Sequence, residues 1–288
     1  MRVHAVSDIH VDYPQNLKWV LGIDRHEYQA DVLLLAGDVS EDLMLLERVL
    51  RGCAERFAKV VFVPGNHDLW VRRCSYDCSL AKFKAIQRLC SEVGIATEPF
   101  EYAGVEFIPL LSWYDFSFAA LDRSLRLGWR DFSACSWPAS LPDSQAVSRH
   151  FHQLNVGVFE WAKARSEQGL AQRSGEKVCP RISCSHFLPS IDVMPSWVPE
   201  SKRTVYPVLG SAELGVQVRL LAPDIHVYGH SHVNQTIEID STHYVNNAFA
   251  TPKETRIAAK QLRCIYDSDD GRVLSRLSEL AKSGGLWS

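Results

Sequence analysis

Five short blocks of acidic, amide and imidazole side chains each follow an apolar, β-branched run of the sequence. The blocks are Asp8-Ile9-His10, Gly37-Asp38, Gly65-Asn66-His67-Asp68, Ser185-His186 and Gly229-His230-Ser231-His232. Together they offer three carboxylates, one amide and five imidazoles. This set of donors suits a pair of divalent cations better than it suits a nucleophile triad. Two cations held in this way activate water for attack on phosphate esters.

The blocks can form one site only if the strands before them end at the same edge of a sheet. Apolar runs predict strands over Arg2–Ser7, Val32–Ala36, Val60–Val63, Val178–Cys184 and Asp224–Tyr228. Helical periodicity predicts helices over Asn16–Gly22, Leu43–Phe57, Ser79–Val93, Asn155–Arg165 and Ala212–Leu221. Alternating strands and helices indicate an α/β sheet, in which ligands bind at the carboxyl ends of the strands.

The rest of the chain completes a single predicted domain over residues 1–288. Further strands, a hairpin and a C-terminal helix are predicted over Val105–Leu111, Gln235–Ile239 with His243–Asn246, Gln261–Asp267 and Arg272–Lys282. Residues at about 112–177 are rich in Trp, Phe, Ser and Asp. We interpret that stretch as an insertion of loops and helices beside the site.

The local spacing within the blocks also fits a site at strand ends. Side chains alternate along a strand, so Asp8 and His10 project to the same side, and so do His230 and His232. Glycine precedes three of the blocks' candidate ligands, at Gly37, Gly65 and Gly229. Glycine permits the positive φ or the close backbone approach that a sharp turn after a strand requires.

The ordered set D-x-H, G-D, G-N-H-D, H and G-H-x-H resembles the calcineurin-like metallophosphoesterase superfamily. All five blocks match in order between residues 8 and 232. The resemblance implies an α/β fold with a four-layer α/β/β/α sandwich. It also implies a metal-dependent phosphoric ester hydrolase with two divalent ions. These donor types tolerate Mn, Fe, Zn, Co or Ni, so the identity of the metal stays open.

The resemblance further implies a role for each residue of the blocks. Three of them would hold the first metal, namely Asp8, His10 and His232. Three would hold the second metal, namely Asn66, His186 and His230. Asp38 would bridge the two ions. His67 would act in catalysis close to the metals without binding them, as a general acid or a stabilising cation, and Asp68 would orient its ring.

Several residues outside the blocks are candidates for substrate binding. Arg72, Arg73 and Arg203 could each grip a phosphate with two hydrogen bonds, although solvated surface positions are the more common use of arginine. Trp113 and Tyr114 end the strand predicted from Val105, where they either line the pocket or pack in the core. Trp70 is open to the same two interpretations.

The overall composition limits the partners and the compartment. The chain has 288 residues, a formal net charge of −3 and 46% hydrophobic residues, so no general attraction to nucleic acid or membranes is expected. No secretory signal or membrane-spanning run is evident. The eight cysteines then favour reduced thiols and a cytoplasmic protein. The pair Cys74 and Cys78 is more typical of plain thiols than of a zinc site.

The leading hypothesis is therefore a phosphoesterase that uses metal-activated hydroxide on a phosphate monoester or diester. The aromatic insertion favours a small organic phosphate, and a nucleotide is one candidate. The alternative is a non-catalytic scaffold or binding module that retains the fold. Such a module would be expected to lack the equivalent of His67 or several ligands, whereas this chain has them all.

Overall fold

The structure is a computed structural model that describes residues 1–72, 74–171 and 179–269, without the side chains of 168–171. Its first sheet has four strands in the order β10-β1-β2-β3. They are β1 (Arg2–Val6), β2 (Val32–Leu35), β3 (Lys59–Phe62) and β10 (Arg263–Asp267). The first three are parallel, and β10 runs antiparallel to β1.

The second sheet has six strands in the order β4-β5-β6-β7-β9-β8. They are β4 (Phe100–Tyr102), β5 (Val105–Pro109), β6 (Arg181–Cys184), β7 (Ile225–Tyr228), β8 (Gln235–Ile239) and β9 (Thr242–Asn246). The strands β5, β6, β7 and β9 are parallel, while β4 and β8 are antiparallel to their neighbours. The short edge strand β4 was not predicted from the sequence.

Alternating side chains of the strands form two apolar layers. Val3, Leu34 and Val61 of the first sheet pack in one buried cluster with Phe107 and Ile182 of the second, which places this core between the sheets. The residues that alternate with these along the strands point to the opposite face of each sheet. They belong to the other large cluster, together with residues from the helices. Two sheets flanked by helices result, and the predicted fold class is confirmed.

Eight α-helices lie within the described residues. They are α1 (Pro14–Leu21), α2 (Leu43–Ala54), α3 (Ser79–Val93), α4 (Arg123–Gly128), α5 (Asp131–Ala134), α6 (Ser144–Leu154), α7 (Val156–Ala171) and α8 (Ala212–Leu221). Local sequence sets their ends: the Asp42 side chain accepts hydrogen bonds from two amides at the start of α2, and Gly94 ends α3 with φ +78°. In the part of the chain that is described, no helix has the length and apolar character needed to cross a membrane.

The insertion contains more helix than the sequence predicted. Only α7 had been predicted as a separate helix, whereas α4, α5 and α6 precede it. Leu125, Val147 and Phe151 of these helices pack in the same buried cluster as the strands. Part of the predicted strand Val178–Cys184 and all of the helix predicted over Arg272–Lys282 lie outside the described residues.

Candidate metal centre

The predicted ligands follow the carboxyl ends of the parallel strands, and the structure brings them together. Asp8, His10 and His232 form one cluster, in which one ligand atom from each residue lies within 4.8 Å of the others. Nε2 of His10 is 3.0 Å from Nε2 of His232, and Oδ1 of Asp8 is 3.5 Å from that same nitrogen. This cluster joins the loop after β1 to the loop after β7.

A second cluster contains Asp38, His186 and His230. Nε2 of His186 lies 3.5 Å from Oδ1 of Asp38 and 3.2 Å from Nδ1 of His230. The same nitrogen is 3.1 Å from Oδ1 of Asn66, so the amide oxygen faces this cluster. A third grouping joins Asp38 to His10 and His67. Asp38 therefore lies between the two groups of ligands.

The backbone is strained at most of these positions. Five of the predicted metal ligands have positive φ, namely Asp8 (53°), His10 (45°), Asp38 (54°), His230 (65°) and His232 (56°). Residues other than glycine adopt this region rarely, at a cost of the order of 1–3 kcal/mol each, and such positions concentrate at functional sites. The strain directs consecutive loop side chains toward one point instead of along the strands.

Two glycines allow the strand ends to approach one another. A Cβ atom on Gly37, which has φ +82°, would collide with the ring of His186. A Cβ atom on Gly65 would collide with the carboxylate of Asp38. Glycine is therefore required at both positions by close approach to a ligand, and at Gly37 also by the backbone conformation.

Three of the four imidazoles in the two groups have their second ring nitrogen engaged by an oxygen atom. Nδ1 of His186 is 2.9 Å from the carbonyl oxygen of Ala36, and Nε2 of His230 is 3.0 Å from that of Val208. Nδ1 of His232 lies 3.0 Å from a carboxylate oxygen of Glu254. A ring that donates its N–H in this way presents the lone pair of the other nitrogen to the cluster, as metal-binding histidines do.

The electrostatics of the clusters favour a positive charge. Burial, followed by the negative charges of Asp8 and Asp68, raises the pKa of Asp38 well above its ordinary value. Burial and then the charge of His232 lower the pKa of His10 to about 3. Burial would also lower the pKa of His232, but hydrogen bonds and charges from Asp8 and Glu254 raise it to about 10. Buried carboxylates that repel one another are stabilised by a bound cation.

The donor set therefore fits two divalent cations. Carboxylate, amide and imidazole donors converge from mostly buried positions, and imidazole nitrogen atoms lie 3.0 Å apart in one cluster and 3.2 Å apart in the other. Such convergence of lone pairs is costly unless protons or metal ions lie between them.

His67 lies beside the clusters, and its neighbours differ from those expected. Its Nε2 is 3.8 Å from Oδ2 of Asp38, and its ring stacks on Trp70 with centroids 3.7 Å apart. Asp68 does not orient the ring. Its carboxylate accepts four backbone N–H groups, from Gly65, Asp38, Val39 and Ser40. Asp68 instead joins the two loops that carry Asp38 and Asn66.

Among the candidates for substrate binding, two aromatic residues are in the core. Trp113 and Tyr114 are 1% and 0% exposed, and the ring of Trp113 packs against Trp137, Phe151 and Phe187. The interpretation that they line a pocket is therefore wrong. They are buried because the helices of the insertion cover the end of β5, and the sequence near these residues does not show that cover.

The remaining candidates divide between the site and the surface. Trp70 stacks on His67, and the guanidinium of Arg72 lies 5.0 Å from the centre of the Trp70 ring. Arg72 also pairs with Glu41 at 3.0 Å. The guanidinium of Arg203 donates to the carbonyls of Val198 and Ser196, which precede the 3-10 helix Glu200–Val208 that contains it. Arg73 lies outside the described residues.

Two carboxylates that contact the predicted ligands were not predicted from the sequence. Glu254 accepts hydrogen bonds from His232 and from Thr251. Asp131, which is 3% exposed in the insertion, accepts one from Asn66. Neither belongs to one of the five blocks. No sequence motif distinguishes them from the other acidic residues of the chain. Their partners among the predicted ligands are distant in the sequence, at separations that belong to no known pattern.

Comparison with known proteins supplies independent evidence. A family model described as calcineurin-like phosphoesterase matches residues 1–234. The [acyl-carrier-protein] phosphodiesterase PptH of Mycobacterium tuberculosis is 34% identical over 123 residues, which are 40% of this chain and 38% of that protein. The match thus spans less than half of the curated relative.

Among solved structures, the crystal structure of the phosphopantetheinyl hydrolase PptH from Mycobacterium tuberculosis is similar in fold. The TM-score is 0.70 at 21% identity, and the alignment covers 93% of this chain and 97% of that one. This likeness supports the fold of two sheets flanked by helices over nearly the whole chain.

Proposed function

Because this chain belongs to the calcineurin-like phosphoesterase family, a family of metal-dependent phosphoester hydrolases, we propose that it hydrolyses a phosphodiester at a dinuclear metal centre. The position of Asp38 carries this proposal, since its carboxylate belongs to two of the groups of candidate ligands. A shared carboxylate holds two cations close enough to act on one phosphate. Asp8, His10 and His232 would hold one ion, and Asn66, His186 and His230 the other.

When bound, a pair of divalent cations lowers the pKa of a coordinated water and neutralises charge on the phosphate oxygens. The protein residues position these groups. Asp38 links the two halves of the site, and the buried walls exclude bulk water from them. His67, whose side chain is 29% exposed beside Asp38, is available to donate a proton to the leaving oxygen.

The identity of the metal is part of the proposal. Imidazole donors suit Zn, Fe and Ni, while carboxylate and amide oxygens suit Mn, and the site contains both types. We use Mn²⁺ for the first tests because it accepts a mixed donor set of this kind.

For the substrate, the proteins that this chain resembles are an acyl-carrier-protein phosphodiesterase and a phosphopantetheinyl hydrolase. We propose that this chain likewise cleaves a phosphodiester that joins a small organic group to a protein. A nucleotide has less support, since Trp113 and Tyr114, which were candidates for lining the pocket, are buried and cannot stack on a base.

An exposed basic segment supports a protein-borne substrate. Arg123, Arg126 and Arg130 are exposed, and none of their guanidinium groups has a hydrogen-bond or ion-pair partner among the described residues. Leu127, 78% exposed, lies between them in the sequence. The same segment continues into Trp129, whose ring is 5.9 Å from that of His230. Free positive charge and apolar surface beside the site suit an acidic protein surface.

The first test of the function is hydrolysis of bis(p-nitrophenyl) phosphate. We expect turnover by protein loaded with Mn²⁺, and its loss on treatment with EDTA, because the cations supply the charge neutralisation that the reaction requires. Restoring Mn²⁺ after removal of EDTA should restore turnover, which separates metal loss from unfolding. Bound metal without turnover of this diester or of p-nitrophenyl phosphate would instead support the scaffold alternative.

The second test addresses the protein-borne substrate. We expect release of the phosphopantetheinyl group from acyl carrier protein, measured by mass spectrometry. Arg126→Glu should raise KM for that substrate about tenfold, or ~1.4 kcal/mol, because it places a negative charge against an acidic partner. It should leave hydrolysis of bis(p-nitrophenyl) phosphate unchanged. The matched control is Arg48→Glu, which reverses an exposed charge in α2. Equal effects of the two substitutions on KM would refute the docking role.

The cellular location and the domain organisation of the protein stay predictions. A cytoplasmic location is supported by the eight cysteines, all of which are free, since reduced thiols are usual in a reducing compartment. A single domain over residues 1–288 is supported by the packing of the insertion in the same core as the strands.

A further inference from the structure

The carboxylate of Asp131 is a point where the insertion meets the metal centre. It lies at the start of α5 and is 3% exposed. Oδ1 accepts hydrogen bonds from Nδ2 of Asn66 at 2.8 Å and from Nε1 of Trp70 at 2.7 Å. Oδ2 accepts one from Nε1 of Trp129 at 2.8 Å. Asp131 therefore receives hydrogen bonds from several donors.

The first of these bonds determines which atom Asn66 presents to the site. An amide has one oxygen and one NH₂ group, and only the oxygen is a good ligand for a divalent cation. Because Nδ2 of Asn66 donates to Asp131, Oδ1 faces His186 at 3.1 Å. An acceptor at residue 131 thus selects the orientation of the amide that can bind metal.

The second bond fixes the ring beside His67. Trp70 is 8% exposed, and its ring plane lies 27° from that of His67 with 3.7 Å between centroids. Rotation of the indole would break its hydrogen bond to Asp131 and leave a buried donor unsatisfied, which is unfavourable. One carboxylate thereby holds both a metal ligand and the aromatic ring on which His67 rests.

We propose that Asp131 is a positioning residue through which the insertion assembles the half of the centre formed by Asn66, His186 and His230. Asp131 binds no metal in this arrangement. It acts by accepting hydrogen bonds from Asn66 and Trp70, so that the amide oxygen of Asn66 is available before a cation arrives. The proposal rests on the dinuclear centre of the proposed function, but it is tested by metal binding in the absence of substrate.

The test uses replacements that separate geometry from charge. In Asp131→Asn, the new NH₂ group must face at least one of the three N–H donors of Asn66, Trp70 and Trp129, whichever way the amide turns. Asp131→Glu keeps the charge but displaces the carboxylate by one methylene group. Both changes should weaken binding of one equivalent of Mn²⁺ by about 10–100-fold, as loss of such outer partners does, and leave the other equivalent largely unchanged. Calorimetric titration of the metal-free protein measures both equivalents.

A double variant makes the test specific to orientation. Replacing Trp129 with Phe in the Asp131→Asn protein removes the donor that would face the new NH₂ group. The amide oxygen of residue 131 can then face Asn66 and Trp70 again. The double variant should regain at least about tenfold in affinity for the weakened equivalent. Because the expected loss is about 10–100-fold, this gain is half or more of the loss on a logarithmic scale. Trp129→Phe alone should bind both equivalents nearly as the unmodified protein does.

The outcomes distinguish the explanations. Unchanged affinity in Asp131→Glu together with a loss in Asp131→Asn would assign the effect to charge and overturn the positioning role. Unchanged affinity in both would also overturn it. Failure of the unmodified protein to bind a second equivalent would overturn this proposal and the proposed function together. Thermal unfolding of each metal-free variant checks the fold, and Asp131→Glu alone decides the positioning role should Asp131→Asn not fold.

Discussion

Replacing Asp38 with asparagine is expected to lower turnover of a phosphodiester by at least about 100-fold, more than the loss of an outer partner of a metal usually costs. Asp38 follows β2 with its side chain 2% exposed, and it belongs to groupings with His186 and His230 and with His10 and His67. An asparagine offers one neutral oxygen where the aspartate offers two anionic ones. The single oxygen of asparagine could serve only one of the two cations, so one half of the site would lose this ligand. The other half would keep an oxygen ligand without its negative charge.

The effect should appear in metal binding as well as in turnover. The pKa of Asp38 is raised by burial and by the charges of Asp8 and Asp68, so bound cations would relieve repulsion at this carboxylate. We expect weaker binding of both equivalents of Mn²⁺ in calorimetric titration, whereas the loss of a ligand to a single ion would weaken one.

Asp240→Asn is the matched control for this substitution. Asp240 is exposed in the turn between β8 and β9 with φ 49°, a conformation that asparagine also tolerates. The control makes the same atomic replacement away from the site and should preserve both turnover and metal binding. Tight binding of two equivalents by the Asp38→Asn protein would be evidence against a bridging carboxylate.

The general location of the site could be predicted because it follows from topology. Polar blocks after apolar runs must meet if the runs become adjacent parallel strands, and β1, β2 and β3 do pair in parallel register. The two-residue spacing of Asp8 and His10 placed both on one side. In the structure, positive φ at each of these residues brings the two side chains together. The spacing of residues in the sequence does not predict this backbone conformation.

The role of Asp68 could not be predicted from its place beside His67. His67 and Asp68 are consecutive residues of one 3-10 turn, His67–Leu69, in which consecutive side chains point in different directions. The turn directs the Asp68 carboxylate toward the amides of Gly65 and Ser40. A buried carboxylate with four backbone donors stabilises the loops rather than an imidazole.

Residues that depend on distant segments were also beyond the sequence. A tryptophan such as Trp113 is equally suited to a pocket wall and to the core. Its contact with Phe151, from a helix of the insertion, places it in the core. Asp131 lies 65 residues from Asn66 in the chain. Such partners follow from the packing of the insertion against the site. The sequence of one protein does not show which of these distant residues come into contact.

His67 is the other residue at which a large loss of activity is expected. Burial, followed by the charge of His10, lowers the pKa of His67 well below its ordinary value. The protonated ring, which is the form that can donate a proton, is therefore a minor fraction near pH 7. Removing a proton donor of this kind typically lowers the rate by about 10²–10⁴-fold. We expect His67→Ala to reduce kcat by that amount for a diester with an alkyl leaving group.

Two measurements separate proton donation from metal binding by His67. p-Nitrophenolate is a stable anion that needs little proton donation, so the loss with bis(p-nitrophenyl) phosphate should be smaller than the loss with an alkyl diester. Elemental analysis should find two equivalents of metal in His67→Ala, and the exposed His26→Ala should match the unmodified protein in both assays. Because His67 also lies within ligand distance of His10 and Asp38, the loss of one metal equivalent together with equal losses for both leaving groups would make His67 a ligand instead of a proton donor.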